Sequence, residues 1–253
     1  MPETLLERCR AYAVRLRPGQ AFSHETAALM HEMPLPVRMS AVEPLHVSCV
    51  RPSTPPRTTG VVGHRLAAPA VLVDVQNMPV CAPSEAWVQL APRLTVDELI
   101  ILADHLLTVS PLDDDMTRRL LRQRIAAGRR PAVAALRNAL HEARRPVLSP
   151  GETRVRLLLV RAGIREPELN APVHDASGRY LGRPDLLWRH ERVMLEYEGD
   201  GHRERQQFRA DIERYELFRD AGWEVIRVSA ADLHGARCDA LVARVRQRLQ
   251  RAV

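Results

Sequence analysis

The sequence predicts an α/β (α+β) fold made of a mixed N-terminal domain and a C-terminal αβββαβ core. From Glu152 onward the apolar patterns follow the order helix, strand, two-stranded hairpin, helix, strand, helix, which predicts a sheet covered by helices. The length of 253 residues and the hydrophobic content of 45% suit one large or two small globular domains. We therefore divide the chain into residues 1–110, a helical connector over 111–148, and a second domain over 149–253.

The N-terminal domain is predicted to mix short helices and short strands. Apolar spacing indicates a first helix over 3–16, which Pro18 and Gly19 terminate. Thr95 with Glu98 three residues later is the pattern of a capping box. The remaining elements are a helix from His24 to Met33, strands over Leu45–Val50, Gly60–Leu66 and Ala70–Val75, and helices over Ser84–Leu90 and Val96–Thr108.

The connector is predicted to be helical over Asp113–Ala127 and Pro131–Arg145. The first of these helices is acidic at its N-terminus and basic further on, an order that complements the helix dipole.

The C-terminal domain begins with a helix for which Ser149 is the predicted N-cap and Pro150 the first residue. Gly163 ends this helix. The elements that follow are a strand over Leu169–His174, a hairpin of Tyr180–Trp188 and Val193–Glu198, a helix over Glu204–Ala221, a strand over Trp223–Val228, and a last helix to Arg251 that Ser229 caps.

The hairpin sets the chemistry of the chain, because its register decides which side chains meet. If Arg189 pairs with Arg192 across a four-residue charged turn, then Asp185 lies opposite Glu196. Side chains alternate along a strand with period two, so Glu198 shares the face of Glu196. The pattern therefore predicts three carboxylates on one side of the hairpin.

Like charges this close raise each other's pKa and destabilise the site. A divalent cation such as Mg²⁺ removes the repulsion, since it prefers carboxylate, water and phosphate oxygens as ligands. We interpret the cluster as a metal site; the alternative is a solvated acidic edge without metal.

The arrangement Pro-Asp, ten residues, then Glu-x-acid resembles the PD-(D/E)xK nuclease superfamily. More closely, about residues 150–235 resemble its very-short-patch-repair-like endonuclease-domain branch. The residues that carry this likeness are Arg183-Pro184-Asp185, Glu196-Tyr197-Glu198-Gly199, His202, Asp211, Arg214 and Gly222-Trp223.

The resemblance implies a restriction-endonuclease-like core and hydrolysis of DNA phosphodiester bonds with Mg²⁺ or Mn²⁺ as cofactor. It implies that Asp185, Glu196 and Glu198 bind the metal, that Glu152 on the first helix joins the catalytic site, and that His202 transfers a proton or holds a phosphate. The residues that it assigns to DNA binding are Arg183, Arg203 and Arg214.

One position departs from the superfamily pattern. The superfamily places a lysine two residues after the acidic ligand, whereas this chain has Glu198 there and contains no lysine. A glutamate can bind metal or orient water but has no positive charge. The alternative function is therefore a catalytically inactive DNA-binding protein that uses the nuclease fold as a scaffold.

About residues 15–108 resemble the region that follows the winged helix in AbiEi-like antitoxins and regulators. The residues that carry this likeness are Phe22-Ser23-His24-Glu25-Thr26-Ala27-Ala28, Leu35-Pro36, Pro44-Leu45-His46-Val47 and Gly63-His64-Arg65. The resemblance implies a role in a toxin–antitoxin or transcriptional system. The histidines His24, His46 and His64 are irregularly spaced along the chain, which favours structural roles over metal binding.

Composition narrows the partners. The net charge is +6 and the pI about 9.7, which favours a polyanion such as DNA as the partner. The other explanation is a genome whose base composition encodes arginine in place of lysine.

The four cysteines are far apart and indicate neither a zinc site nor disulfides, so we expect a cytoplasmic protein. No apolar run predicts a membrane span. A homodimer and a monomer both stay open, as does a protein-binding role without nucleic acid.

Overall fold

A computed structural model describes residues 4–41, 43–127, 131–199 and 214–251, and its mixture of helices and mixed sheets confirms the α+β class. The chain forms two compact units, Met1–Arg144 (unit 1) and Arg145–Val253 (unit 2). Most of the residues assigned to the connector from the sequence belong to unit 1, because their two helices pack on helices of that unit.

Unit 1 combines a five-stranded sheet with six helices among its described residues. The sheet order is β3-β2-β1-β5-β4, with β1 parallel to β5 and antiparallel to β2. The elements are α1 (Leu5–Ala13), β1 (Gln20–Phe22), α2 (His24–Met30), β2 (Leu45–Cys49), β3 (Val61–Arg65), β4 (Leu72–Val75), β5 (Met78–Cys81), α3 (Pro83–Leu90), α4 (Val96–Val109), α5 (Asp114–Ala126) and α6 (Val133–Glu142).

Two strands of this sheet, β1 and β5, were absent from the sequence prediction. β1 is only three residues long and buried throughout, so it shows no alternation of apolar and polar residues. β5 contains Pro79, a residue that argues against a strand because it cannot donate a ladder hydrogen bond. β1 nevertheless occupies the centre of the sheet, so its pairing with β2 and β5, and not its local sequence pattern, makes it a strand.

Helix α4 anchors the helical layer of unit 1. Its capping box is confirmed, since the Glu98 amide donates to Thr95 Oγ1 at 3.3 Å and the Thr95 amide donates to Glu98 Oε2 at 2.9 Å. The Trp87 indole of α3 is fully buried and donates to the Leu99 carbonyl at 3.1 Å. In the described part of the chain, α4 and every other helix fall short of the length and apolar content that crossing a bilayer requires.

Unit 2 is built on a four-stranded sheet in the order β11-β10-β9-β6. β10 is antiparallel to β9 and parallel to β11. Its elements are α7 (Pro150–Arg161), β6 (Glu168–Leu169), β7 (Val173–His174), β8 (Tyr180–Gly182), β9 (Leu186–Trp188), β10 (Val193–Glu198), α8 (214–220 within the described residues), β11 (Glu224–Ser229) and α9 (Ala236–Arg251).

The structure divides two predicted strands. The stretch predicted as one strand from Leu169 to His174 forms β6 and β7, and the stretch from Tyr180 to Trp188 forms β8 and β9. The second division follows from Gly182, at φ +151°, and from Pro184, which has no amide hydrogen for a ladder. β7 and β8 pair with each other in a separate small sheet.

The last helix begins later than predicted. The Ser229 capping box with Asp232 is present, but it caps a short 3-10 helix over Ala230–Leu233, and α9 starts only at Ala236. The exposed Gly235, at φ +57°, separates the two helices.

The sheet of unit 2 is apolar on both faces. Leu186, Leu195 and Ile226 point to the side covered by α7 and α9, where Val155 and Val245 also lie. Leu187 and Met194 point to the opposite side and pack against α8 residues. The side chains that alternate with Leu187 and Met194 along their strands therefore set the chemistry of the α8 face.

Candidate active site

The hairpin of β9 and β10 has the predicted register. Val193 pairs with Trp188, Met194 with Leu187, and Leu195 with Leu186. The Arg192 amide closes the turn on the Arg189 carbonyl at 3.3 Å, and Arg192 adopts φ +51°. This register carries Glu196 and Glu198, at the open end of the hairpin, onto the α8 face of the sheet.

Two of the three predicted carboxylates, Glu196 and Glu198, share a face of β10, because they have the strand parity of Met194. Asp185 precedes β9 and lies near Glu152 of α7. Glu196 is buried and Glu198 half-buried.

Asp185 is a carboxyl group in an unfavourable place for a negative charge. Burial, and then the nearby Glu152 carboxylate, raise the pKa of Asp185 to about 7. A hydrogen bond from the Tyr197 amide to Asp185 Oδ2, at 2.6 Å, and the charge of Arg214 act in the opposite direction. Asp185 is thus poised to change protonation near neutral pH, a property common at functional sites.

Glu152 is buried at the start of α7 and is held by neutral donors. Its Oε2 atom accepts hydrogen bonds from the Leu148 amide at 3.0 Å and from Asn170 Nδ2 at 2.7 Å. The predicted N-cap is confirmed, because the Glu152 amide donates to Ser149 Oγ at 3.2 Å. The backbone amide of Asn170 donates to the backbone carbonyl of Asp185 at 3.0 Å, so this asparagine contacts both Glu152 and Asp185.

The helix that carries Glu152 lies against the strand that carries Glu196. A Cβ atom added to Gly151 would come within 1.9 Å of the Tyr197 ring, so only glycine allows this approach. This contact brings α7 close to β10 and explains how Glu152 comes near Asp185.

Arginines neutralise the two glutamates of β10. Arg214 of α8 lies 3.5 Å from Glu196, and Arg227 of β11 forms an ion pair with Glu198. Both guanidinium groups also lie 5.4 Å from the centre of the Tyr215 ring. Arg227 occupies the strand position paired with Glu196.

Two members of this site, Asn170 and Arg227, were absent from the sequence interpretation. Arg227 lies in a strand whose parallel pairing with β10 the element order did not determine, and Asn170 lies in a loop. Asn170 differs from an ordinary loop residue in its burial and in its positive φ of +47°, and neither property is readable from the sequence.

The remaining predicted site residues are less informative. Arg183 is exposed at the edge of the hairpin. His202, Arg203 and Asp211 lie outside the described residues. Among the residues that the structure describes, no group of three histidine, cysteine, aspartate or glutamate side chains is placed to hold a metal ion.

A second cluster of ionisable groups lies in unit 1, where three elements bring together His24, His46 and His64. The rings of His24 and His64 stack at 3.7 Å between centroids, and His46 Nδ1 lies 2.9 Å from His64 Nε2. The buried Glu25 lies 3.3 Å from His46 and pairs with Arg93. The sequence spacing of these residues gave no indication that they meet.

Comparison with known proteins adds relatives but no activity. No protein-family model matches the chain. It is similar to the uncharacterized proteins MT2308 and Rv2248, from two strains of Mycobacterium tuberculosis, CDC 1551 / Oshkosh and ATCC 25618 / H37Rv. Each is 27% identical over 197 residues, covering 77% of this chain and 70% of the relative.

Proposed function

We propose that unit 2 is an endonuclease domain that hydrolyses DNA phosphodiester bonds with Mg²⁺ or Mn²⁺. The observation that carries this proposal is the hairpin register, because it brings Glu196 and Glu198 to the end of β10 where the Tyr197 amide binds Asp185. The raised pKa of Asp185 supports it, because strongly shifted carboxyl groups are common at functional sites and a bound cation would favour the ionised form.

Each residue has a defined part in this proposal. Asp185, Glu196 and Glu198 would hold the divalent ion, which when bound supplies Lewis-acid stabilisation of a phosphate. Glu152, which lies near Asp185, would join the catalytic site. Arg214, about one third exposed, would bind a DNA phosphate with its guanidinium group. His202, Arg183 and Arg203 would add proton transfer and further phosphate contacts.

The test is a cleavage assay on supercoiled plasmid and on single-stranded DNA, with Mg²⁺, with Mn²⁺ and with EDTA. We expect Asp185→Asn to abolish cleavage, because amide and carboxylate differ in charge but hardly in shape. Asp239→Asn is the matched control, since Asp239 is an exposed aspartate of α9. Metal-dependent cleavage that persists in Asp185→Asn at the wild-type rate would refute the proposal.

A second candidate is a DNA-binding or AbiEi-like regulatory protein that keeps the nuclease fold without catalysis. The pairing of Glu196 with Arg214 and of Glu198 with Arg227 favours it, because arginines here supply the positive charge that a metal would otherwise provide. Titration calorimetry with Mn²⁺ separates the two candidates. Under the nuclease proposal the wild type binds Mn²⁺, and Arg227→Gln binds it more tightly because Glu198 is released. Under the second candidate neither the wild type nor Arg227→Gln binds the ion.

The cellular setting is part of the same proposal. A cytoplasmic location is supported by the four free cysteines, three of them buried. A homodimer would suit cleavage of both DNA strands and a monomer would suit nicking, so the products of the plasmid assay bear on the oligomeric state.

A further inference from the structure

Unit 1 contains a basic cleft of about 600 Å³ that no acidic residue lines. Its charged lining residues are Arg15, Arg17, Arg57 and Arg65. The ring of Tyr12 forms part of the lining, and Tyr12 packs edge-on against the buried Phe22 at 6.4 Å. The cleft therefore offers four positive charges and one aromatic surface to a ligand.

Neighbouring groups do not neutralise these charges. Within the described ranges, none of the four arginines forms an ion pair, and the guanidinium of Arg65 donates one hydrogen bond, to the Ser53 carbonyl at 3.1 Å. A second arginine-lined cavity, between α5 and α6, is different, since Arg118 there is bound to Asp114 at 2.6 Å and to two carbonyls at 2.7 Å. The guanidinium groups of the first cleft are therefore available to an anion.

The shape of the cleft is set by packing that precedes any ligand. A Cβ atom on Gly63 of β3 would lie 2.4 Å from the Pro56 carbonyl oxygen, so the proline-rich loop lies directly on the strand. The buried Gln20 donates to the Thr54 carbonyl at 2.7 Å, and Ser53 Oγ donates to the Pro18 carbonyl at 2.6 Å. These contacts hold the loop that carries Arg57 against the segment before β1, which lowers the cost of ordering a binding surface.

We propose that this cleft binds the sugar–phosphate backbone of a nucleic acid. Guanidinium groups pair with phosphate oxygens through two parallel hydrogen bonds, so four of them in one cleft favour a ligand with several phosphates. A single aromatic ring beside a basic groove is typical of single-strand binding, where a base stacks on the ring. This site is independent of the carboxylates in unit 2 and requires no metal.

The test measures binding of a labelled single-stranded oligonucleotide to the full chain by fluorescence anisotropy, in EDTA and at several salt concentrations. We expect Arg17→Gln combined with Arg57→Gln to weaken binding about tenfold, because two phosphate contacts are lost. The slope of log affinity against log salt should fall in magnitude by roughly 1.4.

The matched control combines Arg119→Gln with Arg237→Gln, which removes two exposed arginine charges outside the cleft. A control loss equal to the cleft loss would show that only net charge matters and would overturn the proposal. So would the absence of wild-type binding at low salt. Thr58→Glu, which adds a negative charge to the lining and leaves the four arginines in place, should also weaken binding.

Two further comparisons identify the ligand and separate this site from the nuclease proposal. The same sequence as a duplex should bind more weakly than the single strand, and tripolyphosphate should compete only weakly. Tripolyphosphate that binds more tightly than either strand would overturn assignment to nucleic acid. Because this binding is measured in EDTA and the nuclease proposal is tested by metal-dependent cleavage, the cleft and the nuclease proposal can fail separately.

Discussion

Asp185 shows how a single position can be unfavourable for folding and useful for binding. Its pKa of about 7 means that the folded protein resists ionising a group that ionises near pH 4 in an unfolded chain. The folded state therefore loses stability as pH rises from about 4 towards 7 and keeps that deficit above it.

Replacing this carboxyl group should consequently stabilise the metal-free protein. In EDTA at pH 8 we expect Asp185→Asn to unfold at a higher urea concentration than the wild type, because the amide accepts the Tyr197 hydrogen bond without a buried charge. Below pH 4 the difference should vanish. A lower urea midpoint for the variant at pH 8 would contradict this account of the site.

The histidine cluster of unit 1 has the opposite pH dependence. Burial, and then repulsion between the rings, lower the pKa of His24 to about 3 and that of His64 to about 4; burial also lowers the pKa of His46. Glu25 opposes this effect on His46 and His64, while Arg93 adds to it. All three rings are neutral at pH 7 in the folded state.

Acidification should therefore destabilise the protein. Between the unfolded pKa of about 6.5 and the lowered folded values, each histidine is protonated in the unfolded state but neutral in the folded state. Each therefore lowers the free energy of unfolding by up to about 1.4 kcal/mol for every unit by which the pH falls. Urea denaturation from pH 7 to pH 4.5 measures this slope. His24→Gln with His64→Gln should flatten it, and His190→Gln, at an exposed position, should not.

At the scale of elements, α7 and β10 depend on each other through one close contact. Gly151 lets the Tyr197 ring lie on the first turn of α7, next to the buried Glu152. The contact holds the helix that supplies one acidic residue against the strand that supplies two others.

We expect Gly151→Ala to cost about 1–3 kcal/mol of stability, since the added methyl group overlaps the ring. Tyr197→Val in the same chain should recover part of that loss, so the two effects should not add. Gly199→Ala is the control, because a Cβ atom there meets the Tyr197 ring only at an ordinary 3.9 Å. Urea denaturation of the single and double variants measures these changes in stability. If the two changes were strictly additive, the contact between Gly151 and Tyr197 would be excluded as their cause.

For the whole molecule, the division into two units makes a prediction about folding. Both apolar clusters of the unit 2 sheet are formed by residues that follow Arg145, so unit 2 possesses its own core. The fragment over residues 145–253 should therefore unfold cooperatively in urea. A fragment that starts at Gly163 should not, since it lacks Val155 and Leu159, and cooperative unfolding of this shorter fragment would contradict the assignment.

Local sequence patterns determined much of this protein. The apolar runs around Arg189–Arg192 led to the correct hairpin register, and Thr95 with Glu98 led to the correct helix start. These features depend on alternation and on hydrogen bonds between residues a few positions apart, so a window of sequence contains all the information. The alternation along β10 also led to the correct shared face of Glu196 and Glu198.

Only the tertiary structure decided which residues from distant parts of the chain contact each other. The pairing of Glu198 with Arg227, the meeting of three histidines, and the convergence of four arginines on one cleft each join elements far apart in the chain. Strand order and packing set such contacts, and neither leaves a periodic trace in the sequence. The central strand β1 was missed for the same reason, because burial on all sides removes the alternation that reveals a strand.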